Sequence, residues 1–212
     1  MKIFKDRKAA GQILAQRLKD IQGGFATKAD LVLGIPRGGV VVAAEIAKYL
    51  HLPLDIIVTR KIGAPMQREL ALGAVDADGE VVWDKSMIYD LGLTINDLKN
   101  LVENEVEEIK RREKVYRGDK KALDIRNKTV ILVDDGIATG ATTLAAIKYL
   151  KRHGARVILA VPVASKDATR KVAQEVSEVV VLHTPADFQA VGQFYQYFEP
   201  VTDEEVVQLL KA

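Results

Sequence analysis

The sequence predicts an α/β fold with a mostly parallel, doubly wound sheet and helices on both of its faces. Short apolar runs rich in β-branched residues alternate with segments of helical period along most of the chain. This alternation is typical of parallel strands joined by crossover helices. Small and charged residues directly follow two of the runs, at 34–39 and 134–143. Because open α/β sheets bind ligands at the carboxyl ends of their strands, both turns are candidate sites.

The first part of the chain contains a helix and a strand–helix–strand unit. We predict the helix over 6–21, with Asp6 as its N-cap, because apolar residues recur there at helical spacing. Strands are predicted at 31–35 and 54–58, and a helix at 38–50 joins them in a right-handed connection. The apolar stripe of the first helix comprises Ala10, Ile13, Leu14, Leu18 and Ile21.

The middle of the chain contains a hairpin and a long helix. Apolar runs at 70–75 and 80–83 flank an Asp-Gly turn, which predicts a β-hairpin. Thr94 begins a helix that we expect to continue to about Arg117, with its charged residues on a solvated face. The apolar stripe of this helix comprises Ile95, Leu98, Val102, Val106 and Ile109.

The last part of the chain returns to the alternating pattern and then departs from it. Aromatic residues concentrate over 184–200, and Thr202 opens a final helix through a Ser/Thr-x-x-Glu capping box. The alternating part predicts three strands and two helices. The strands are expected at 129–133, 156–161 and 178–183, and the helices at 144–150 and 165–175.

Length and composition limit the classes of function. The chain has 212 residues, 48% of them apolar, a net charge of +2 and no cysteine, as is usual for a folded protein of a reducing compartment. No run approaches the ~18 apolar residues of a membrane span, and the balanced charge gives no general basic face for nucleic acid. We therefore expect a cytoplasmic protein with neither membrane nor nucleic acid as a partner, and a homodimer is left open.

The stretch from 129 to 143 combines acceptors for sugar hydroxyls with a cradle for phosphate. Asp134 and Asp135 end its apolar strand, and small residues and hydroxyls run from there into a helix. Such a loop lets backbone N–H groups approach an anion closely, and the helix N-terminus adds a favourable dipole. A ribose 5-phosphate carries both of the groups that this stretch could bind. The alternative is a plain strand-ending turn.

The sequence Val-Asp-Asp-Gly-Ile-Ala-Thr-Gly-Ala-Thr resembles the phosphoribosyl pyrophosphate (PRPP) motif of the type I phosphoribosyltransferases. The resemblance covers about 25–210 and implies the fold of that family. It implies that Asp134 and Asp135 face the ribose 2- and 3-hydroxyls. The 5-phosphate would be held by Ala138, Thr139, Gly140, Ala141 and Thr142. No Gly-Lys-Ser/Thr follows the turn, so the motif is not a Walker loop.

The turn after the first strand is a second candidate anion site, because small residues precede a helix there. In the resembled family this turn binds pyrophosphate, and the planar guanidinium of Arg37 is suited to phosphate oxygens. The residues concerned are Pro36, Arg37, Gly38 and Gly39. The alternative is a tight strand–helix turn with an exposed arginine.

Arg60 and Lys61 are expected at the end of the second strand. The resemblance implies that they neutralise the charge of the leaving pyrophosphate. The family's flexible loop corresponds to 62–80, and the run 69–75 is typical of an uncharacterised branch of these proteins. Ordinary solvent-facing charges at a strand end are the alternative role for both residues.

Beyond 183, the resembled enzymes build a hood over the acceptor base. Phe188 or Tyr195 could stack on a planar ring there, and Asp187 could hydrogen-bond its edge. Packing of these aromatic rings against the core is the alternative. We expect one domain over 1–212, with an α/β core at about 25–183 that includes the flexible loop and a hood at about 184–212.

The resemblance implies displacement of pyrophosphate from PRPP by a nitrogenous base, with Mg²⁺ held near Asp134 and Asp135 mainly by substrate oxygens and water. No metal site made by the protein alone is expected. A purine is favoured, since a long aromatic hood offers a large stacking area. The alternative is a PRPP-binding regulator without significant transferase activity. A Rossmann-type binder is disfavoured, because Gly-x-Gly-x-x-Gly follows no strand.

Overall fold

Five parallel strands form the central sheet of the protein. In spatial order they are the second, first, sixth, seventh and eighth strands of the described chain. The computed structural model describes residues 3–21, 28–65 and 67–211, and the side chains at 68 and 69 lie outside the described set. The central strands are β1 (Leu31–Gly34), β2 (Leu54–Ile56), β6 (Thr129–Val133), β7 (Arg156–Val163) and β8 (Glu178–His183). The predicted parallel sheet is confirmed.

Seven α-helices accompany the strands in the described part of the chain. They are α1 (Arg7–Asp20), α2 (Gly38–Leu50), α3 (Lys85–Asp90), α4 (Lys99–Arg117), α5 (Ala141–Arg152), α6 (Lys166–Ala173) and α7 (Asp203–Leu209). Asp6 caps α1 as predicted, because its side chain accepts a hydrogen bond from the backbone N–H of Ala9 at 2.8 Å. The box that opens α7 is also present, with Thr202 and Glu205 hydrogen-bonded in both directions.

Helices cover both faces of the central sheet, and the middle strands β1 and β6 are buried along almost their whole length. On one face Leu132 of β6 packs with Ile147 of α5, and on the other Ile131 packs with α1 and α2. Side chains alternate between the faces of a strand, which is why one apolar run supplies both halves of the core. Each face holds a continuous cluster of buried aliphatic side chains, as a doubly wound sheet requires.

A second, antiparallel sheet is formed by β3 (Arg60–Ala64), β4 (Gln67–Val75) and β5 (Val81–Trp83). The predicted hairpin is confirmed, since Val75 pairs with Val81 across a turn in which Gly79 has a φ of +85°. The position expected for Arg60 and Lys61 is wrong. These residues do not end β2, which stops at Ile56, but begin β3.

Two predicted apolar stripes are wider than the buried faces that the structure forms. Ile13 is 51% exposed and Ile95 is 52% exposed, although their helical neighbours Leu14 and Leu98 are fully buried. Ile95 precedes a short 3₁₀ helix over 96–98 that leads into α4, so the regular helix begins later than predicted. No helix in the described ranges combines the length and the apolar composition that crossing a membrane requires.

Candidate active site

Two turns lie side by side at the carboxyl edge of the central sheet. Gly34 of β1 is paired with Val133 of β6, so the turns that follow these strands start from neighbouring positions. The backbone N–H of Ile35 donates to the oxygen of Val133 at 2.9 Å. A Cβ atom on Gly39 would lie 2.8 Å from Cα of Asp134, closer than real side chains approach. The close packing of the two turns therefore needs glycine at 39.

The turn after β6 is anchored through its carbonyl groups. The oxygen of Ala138 accepts from the hydroxyl of Ser165 at 2.7 Å, and the oxygen of Ile137 accepts from the N–H of Ser165 at 2.9 Å. Gly140 has a φ of +81° and is the N-cap of α5, which glycine adopts at little cost. These contacts bring the chain into α5 three residues earlier than predicted.

The N–H groups of this turn remain available. In the described part of the chain, no acceptor takes the backbone N–H of residues 138–142. Free N–H groups beside the first turn of a helix are the arrangement that binds phosphate. The structure therefore brings the five residues predicted for the 5-phosphate into a suitable turn, and their role stays a prediction.

Asp134 lies behind this turn in a shielded position. Its Oδ1 accepts a hydrogen bond from the backbone N–H of Asp135 at 2.8 Å. Burial raises the pKa of Asp134 well above its usual range, and the neighbouring charge of Asp135 raises it further. A carboxyl group that resists ionisation can donate a hydrogen bond to a sugar oxygen as well as accept one.

Asp135 is fixed from two sides. Its Oδ2 accepts from Nε of Arg7 at 2.7 Å, and its backbone oxygen accepts from the hydroxyl of Tyr195 at 2.6 Å. Sequence reasoning missed Arg7, since 128 positions separate it from Asp135 and no spacing rule connects them. A cation in the first turn of a helix is not itself a site signal.

Arg37 projects from the turn after β1. Its side chain is 45% exposed, and Nη1 lies 3.6 Å from Oδ1 of Asp203 at the start of α7. An ion pair this open is weak, so the guanidinium can exchange Asp203 for a phosphate group. Pro36, Arg37, Gly38 and Gly39 stay predicted pyrophosphate-binding residues.

Arg60 lies on β3 beside α4. Its Nε donates to Oε2 of Glu105 at 2.7 Å, and both residues line a cavity of about 620 Å³ that Lys61 also borders. The preceding residue, Thr59, donates its hydroxyl to the backbone oxygen of Thr142 at 3.2 Å. The residue next to Arg60 thus connects the small sheet to the first turn of α5.

The predicted acceptor residues separate into two groups. Tyr195 is only 1% exposed and packs between Phe4 and Phe198, with ring centres 5.5 and 5.1 Å away. The prediction that Tyr195 stacks on a base is therefore wrong, because its side chain is buried in the core. Phe188 is half-buried against Phe194, and Asp187 is exposed, so both remain accessible.

The donor set at the turn fits a magnesium ion that is held mainly by its substrate. Among the described residues, no group of three or more His, Asp or Glu is placed to hold a metal alone. The side chains of Asp134 and Asp135 lie within hydrogen-bonding contact of each other. Mg²⁺ prefers oxygen ligands and retains water, so this pair of carboxyl groups suits the ion or its water shell.

Comparison with known proteins decides the family. Residues 2–197 match the family model described as the phosphoribosyl transferase domain. The chain belongs to this family. A Mycobacterium tuberculosis protein that carries a provisional phosphoribosyl transferase name is 44% identical over 211 residues, which are 99% of this chain and 47% of that protein. The chain thus spans about half the length of the curated relatives it matches.

Two solved structures show the same fold. The protein TT1426 from Thermus thermophilus superposes with a TM-score of 0.80 at 40% identity, over 99% of this chain and 98% of that one. The purine phosphoribosyltransferase of Pyrococcus horikoshii gives a TM-score of 0.50 at 17% identity, over 92% of each chain. At that identity the second likeness concerns the fold alone.

Proposed function

We propose that the protein transfers the ribose 5-phosphate of PRPP to a nitrogenous base and releases pyrophosphate. In this reaction the bond from C1 to the pyrophosphate oxygen breaks and a bond from C1 to a ring nitrogen forms. The proton of that nitrogen passes to solvent. The observation that carries the proposal is the pairing of Gly34 with Val133, which brings the turn at 36–39 and the stretch 134–142 to neighbouring positions at one edge of the sheet.

The residues of the cleft act by position and charge. The N–H groups of 138–142 bind the 5-phosphate and fix the sugar, which turns a collision between two molecules into an oriented reaction. Asp134 and Asp135 hold the ribose hydroxyls and lie near a ring that becomes cationic. Arg37 opposes the charge that grows on the leaving pyrophosphate. Arg60 and Lys61 assist once the small sheet closes toward the cleft.

A bound magnesium ion would supply positive charge opposite the pyrophosphate oxygens. Asp134 and Asp135 are the residues that would hold it, directly or through water. Their other contacts keep the two side chains in place while the substrate supplies the remaining ligands.

The acceptor is proposed to be a base that lies against Phe188. The Phe188 ring lies 5.1 Å from the Phe194 ring, measured between centroids, and Phe188 is half-buried. Its accessible part is suited to stacking against a planar base. Asp187 lies next to it and is exposed to the solvent. A purine stays the preferred acceptor. The burial of Tyr195 removes one candidate stacking residue, but the rest of the hood can still contact a base. A cytoplasmic location and a homodimer stay proposals as well.

The first prediction is that PRPP with Mg²⁺ binds the protein and raises its melting temperature, because a ligand that binds only the folded state stabilises it. Calorimetry and thermal melts at millimolar PRPP measure both effects. The same samples, incubated with purines, pyrimidines, nicotinate and simple amines, are read by mass spectrometry for ribosylated product and pyrophosphate.

The matched variants are Asp134→Asn with Asp135→Asn as the loss variant and the exposed Asp20→Asn as the control. We expect the double variant to fold and to lose turnover, and the control to behave as wild type. Absence of heat and of a melting shift with wild type contradicts PRPP binding. PRPP binding without product from any acceptor would favour the regulator instead.

A further inference from the structure

The N-terminal helix brings a cation to the candidate site that no motif marks. Arg7 is the first residue of α1, and its Nε donates to Oδ2 of Asp135 at 2.7 Å. The two side chains are only 11% and 15% exposed. Shielded ion pairs are screened by salt far less than surface pairs. This contact can therefore hold the Asp135 side chain in one orientation.

The guanidinium of Arg7 has further partners that hold its plane. Nη1 donates to the backbone oxygen of Glu199 at 2.8 Å, and Cζ lies 3.8 Å from the centre of the Phe198 ring. A planar fork that can donate and stack at once is a property of arginine that lysine lacks. The Asp6 cap fixes the start of the helix from which the side chain extends.

Gly38 provides the surface on which the Asp135 carboxylate lies. A Cβ atom at position 38 would overlap Oδ2 of Asp135 and would lie 2.7 Å from Nε of Arg7. The carboxylate is therefore enclosed between the backbone of the pyrophosphate turn and the guanidinium. Its Oδ2 accepts from Arg7, and the carboxyl group also contacts the side chain of Asp134.

We propose that Arg7 is a positioning residue of the PRPP site, which orients Asp135 by holding one carboxylate oxygen against the turn at Gly38. The carboxylate then meets a ribose hydroxyl in a single, fixed orientation. This inference rests on the proposed function, since Asp135 must meet the ribose for its orientation to matter. A side chain that is ordered in advance loses less entropy on binding, so Arg7 raises the affinity for PRPP without touching it.

A double-mutant cycle tests this role, with the dissociation constant of PRPP and Mg²⁺ measured by calorimetry. Arg7→Met keeps an aliphatic stem near Phe198 and is expected to weaken binding about tenfold, the effect of losing one hydrogen bond to a charged group. In an Asp135→Asn background the same change is expected to have almost no further effect, since contacting residues are not additive. Arg7→Lys is expected to fall between Arg7→Met and wild type.

Arg126→Met is the matched control, because Arg126 pairs with Asp124 at the surface, where the side chains are 77% and 57% exposed. Unchanged affinity in Arg7→Met, or an equal loss in both backgrounds, overturns the positioning role. If Arg7→Met does not fold, the cycle is completed with Arg7→Lys and the same two criteria apply. A wild-type protein that does not bind PRPP overturns the proposed function instead.

Discussion

At the scale of single residues, Asp134 has a proposed role in the site and lowers the stability of the ligand-free fold. Its raised pKa comes first from burial, then from the charge of Asp135. A group whose pKa is higher in the folded than in the unfolded protein stabilises the fold below its unfolded pKa. That stabilisation is lost as the pH rises through the folded value. Asp134 therefore destabilises the ligand-free protein at neutral pH relative to a neutral isostere.

We predict that Asp134→Asn melts at a higher temperature than wild type at pH 8 and that the difference shrinks as the pH falls toward 4. The reason is that asparagine cannot ionise, so the variant escapes the cost that wild type meets on deprotonation. Thermal melts across this pH range measure the difference, with Asp20→Asn as an exposed control. A difference that grows toward low pH would contradict the assigned shift.

Single residues also mark where the sequence was insufficient. The position of the two acids and the small-residue turn at a strand end was predictable, because the apolar run before them marks the strand. Arg7 and Tyr195 were not, since each meets Asp135 across a distance of 128 and 60 positions that only the folded sheet defines. An aromatic residue near a site is equally suited to stacking and to packing, and burial alone decided for Tyr195.

At the scale of elements, strand length was misjudged where a neighbour determines it. The apolar run that contains β2 continues to Val58, yet pairing stops at Ile56, whose partner Gly34 is the last residue of β1. A strand ends where its partner ends, whatever its own side chains favour. The same limit moved Arg60 and Lys61 from the central sheet to β3.

The hairpin between β4 and β5 is fastened to α5 by a cluster of charges. Asp76 is 1% exposed and accepts from Nη2 of Arg152 at 2.7 Å, while Asp78 accepts from Arg152 at 3.2 Å and contacts His153 at 2.9 Å. Burial tends to raise the pKa of Asp78, but hydrogen bonds from His153 and Arg152 lower it below its usual value. Since α5 begins directly after Gly140, this cluster connects the small sheet through one helix to the turn that is proposed to bind phosphate.

We predict that Arg152→Met destabilises the fold by about 1–3 kcal/mol at pH 7, because it leaves the buried Asp76 carboxylate without its charged donor. Arg152 also helps to lower the pKa of Asp78, and a lowered pKa gives stability above the unfolded value that is lost as the pH falls through the folded value. The effect should therefore diminish in acid. Urea denaturation at pH 7 and pH 3.5 measures it.

Arg170→Met is the control for this prediction, since its partner Asp167 is 80% exposed and Arg170 itself is 76% exposed. We expect less than about 0.5 kcal/mol from that change. Equal effects of the two variants at pH 7 would show that the cluster carries no special weight.

At the scale of the whole molecule, the core depends on the strand that also carries the acids. Leu132 is fully buried in β6 within the cluster that includes Ile147. We predict that Leu132→Ala costs about 2–5 kcal/mol of unfolding free energy, because it removes buried methyl groups and leaves a cavity. Urea midpoints measure the loss, and Leu123→Ala, at a site that is 37% exposed, is the control. A loss at 132 no larger than at 123 would contradict this account of the core.

The fold class was the most predictable property of the molecule, because a buried parallel strand requires an apolar run of its own. The placement of the hood was not predictable in the same way. It depends on contacts such as the one between Gly136 and Val191, where a Cβ atom on the glycine would lie 2.5 Å from Cγ1 of the valine. Whether the chain acts as one domain stays a prediction.

The pairing of the Phe4 segment with the hood has a consequence for synthesis on the ribosome. Phe4 bridges Tyr195, and the backbone N–H of Phe4 donates to the oxygen of Phe194 at 2.9 Å. Contacts between such distant positions form slowly. A nascent chain that already displays the whole turn around Asp135 still lacks Tyr195, which is needed to fix it. The turn around Asp135 can therefore gain its contact with Tyr195 only after nearly all of the described chain has emerged.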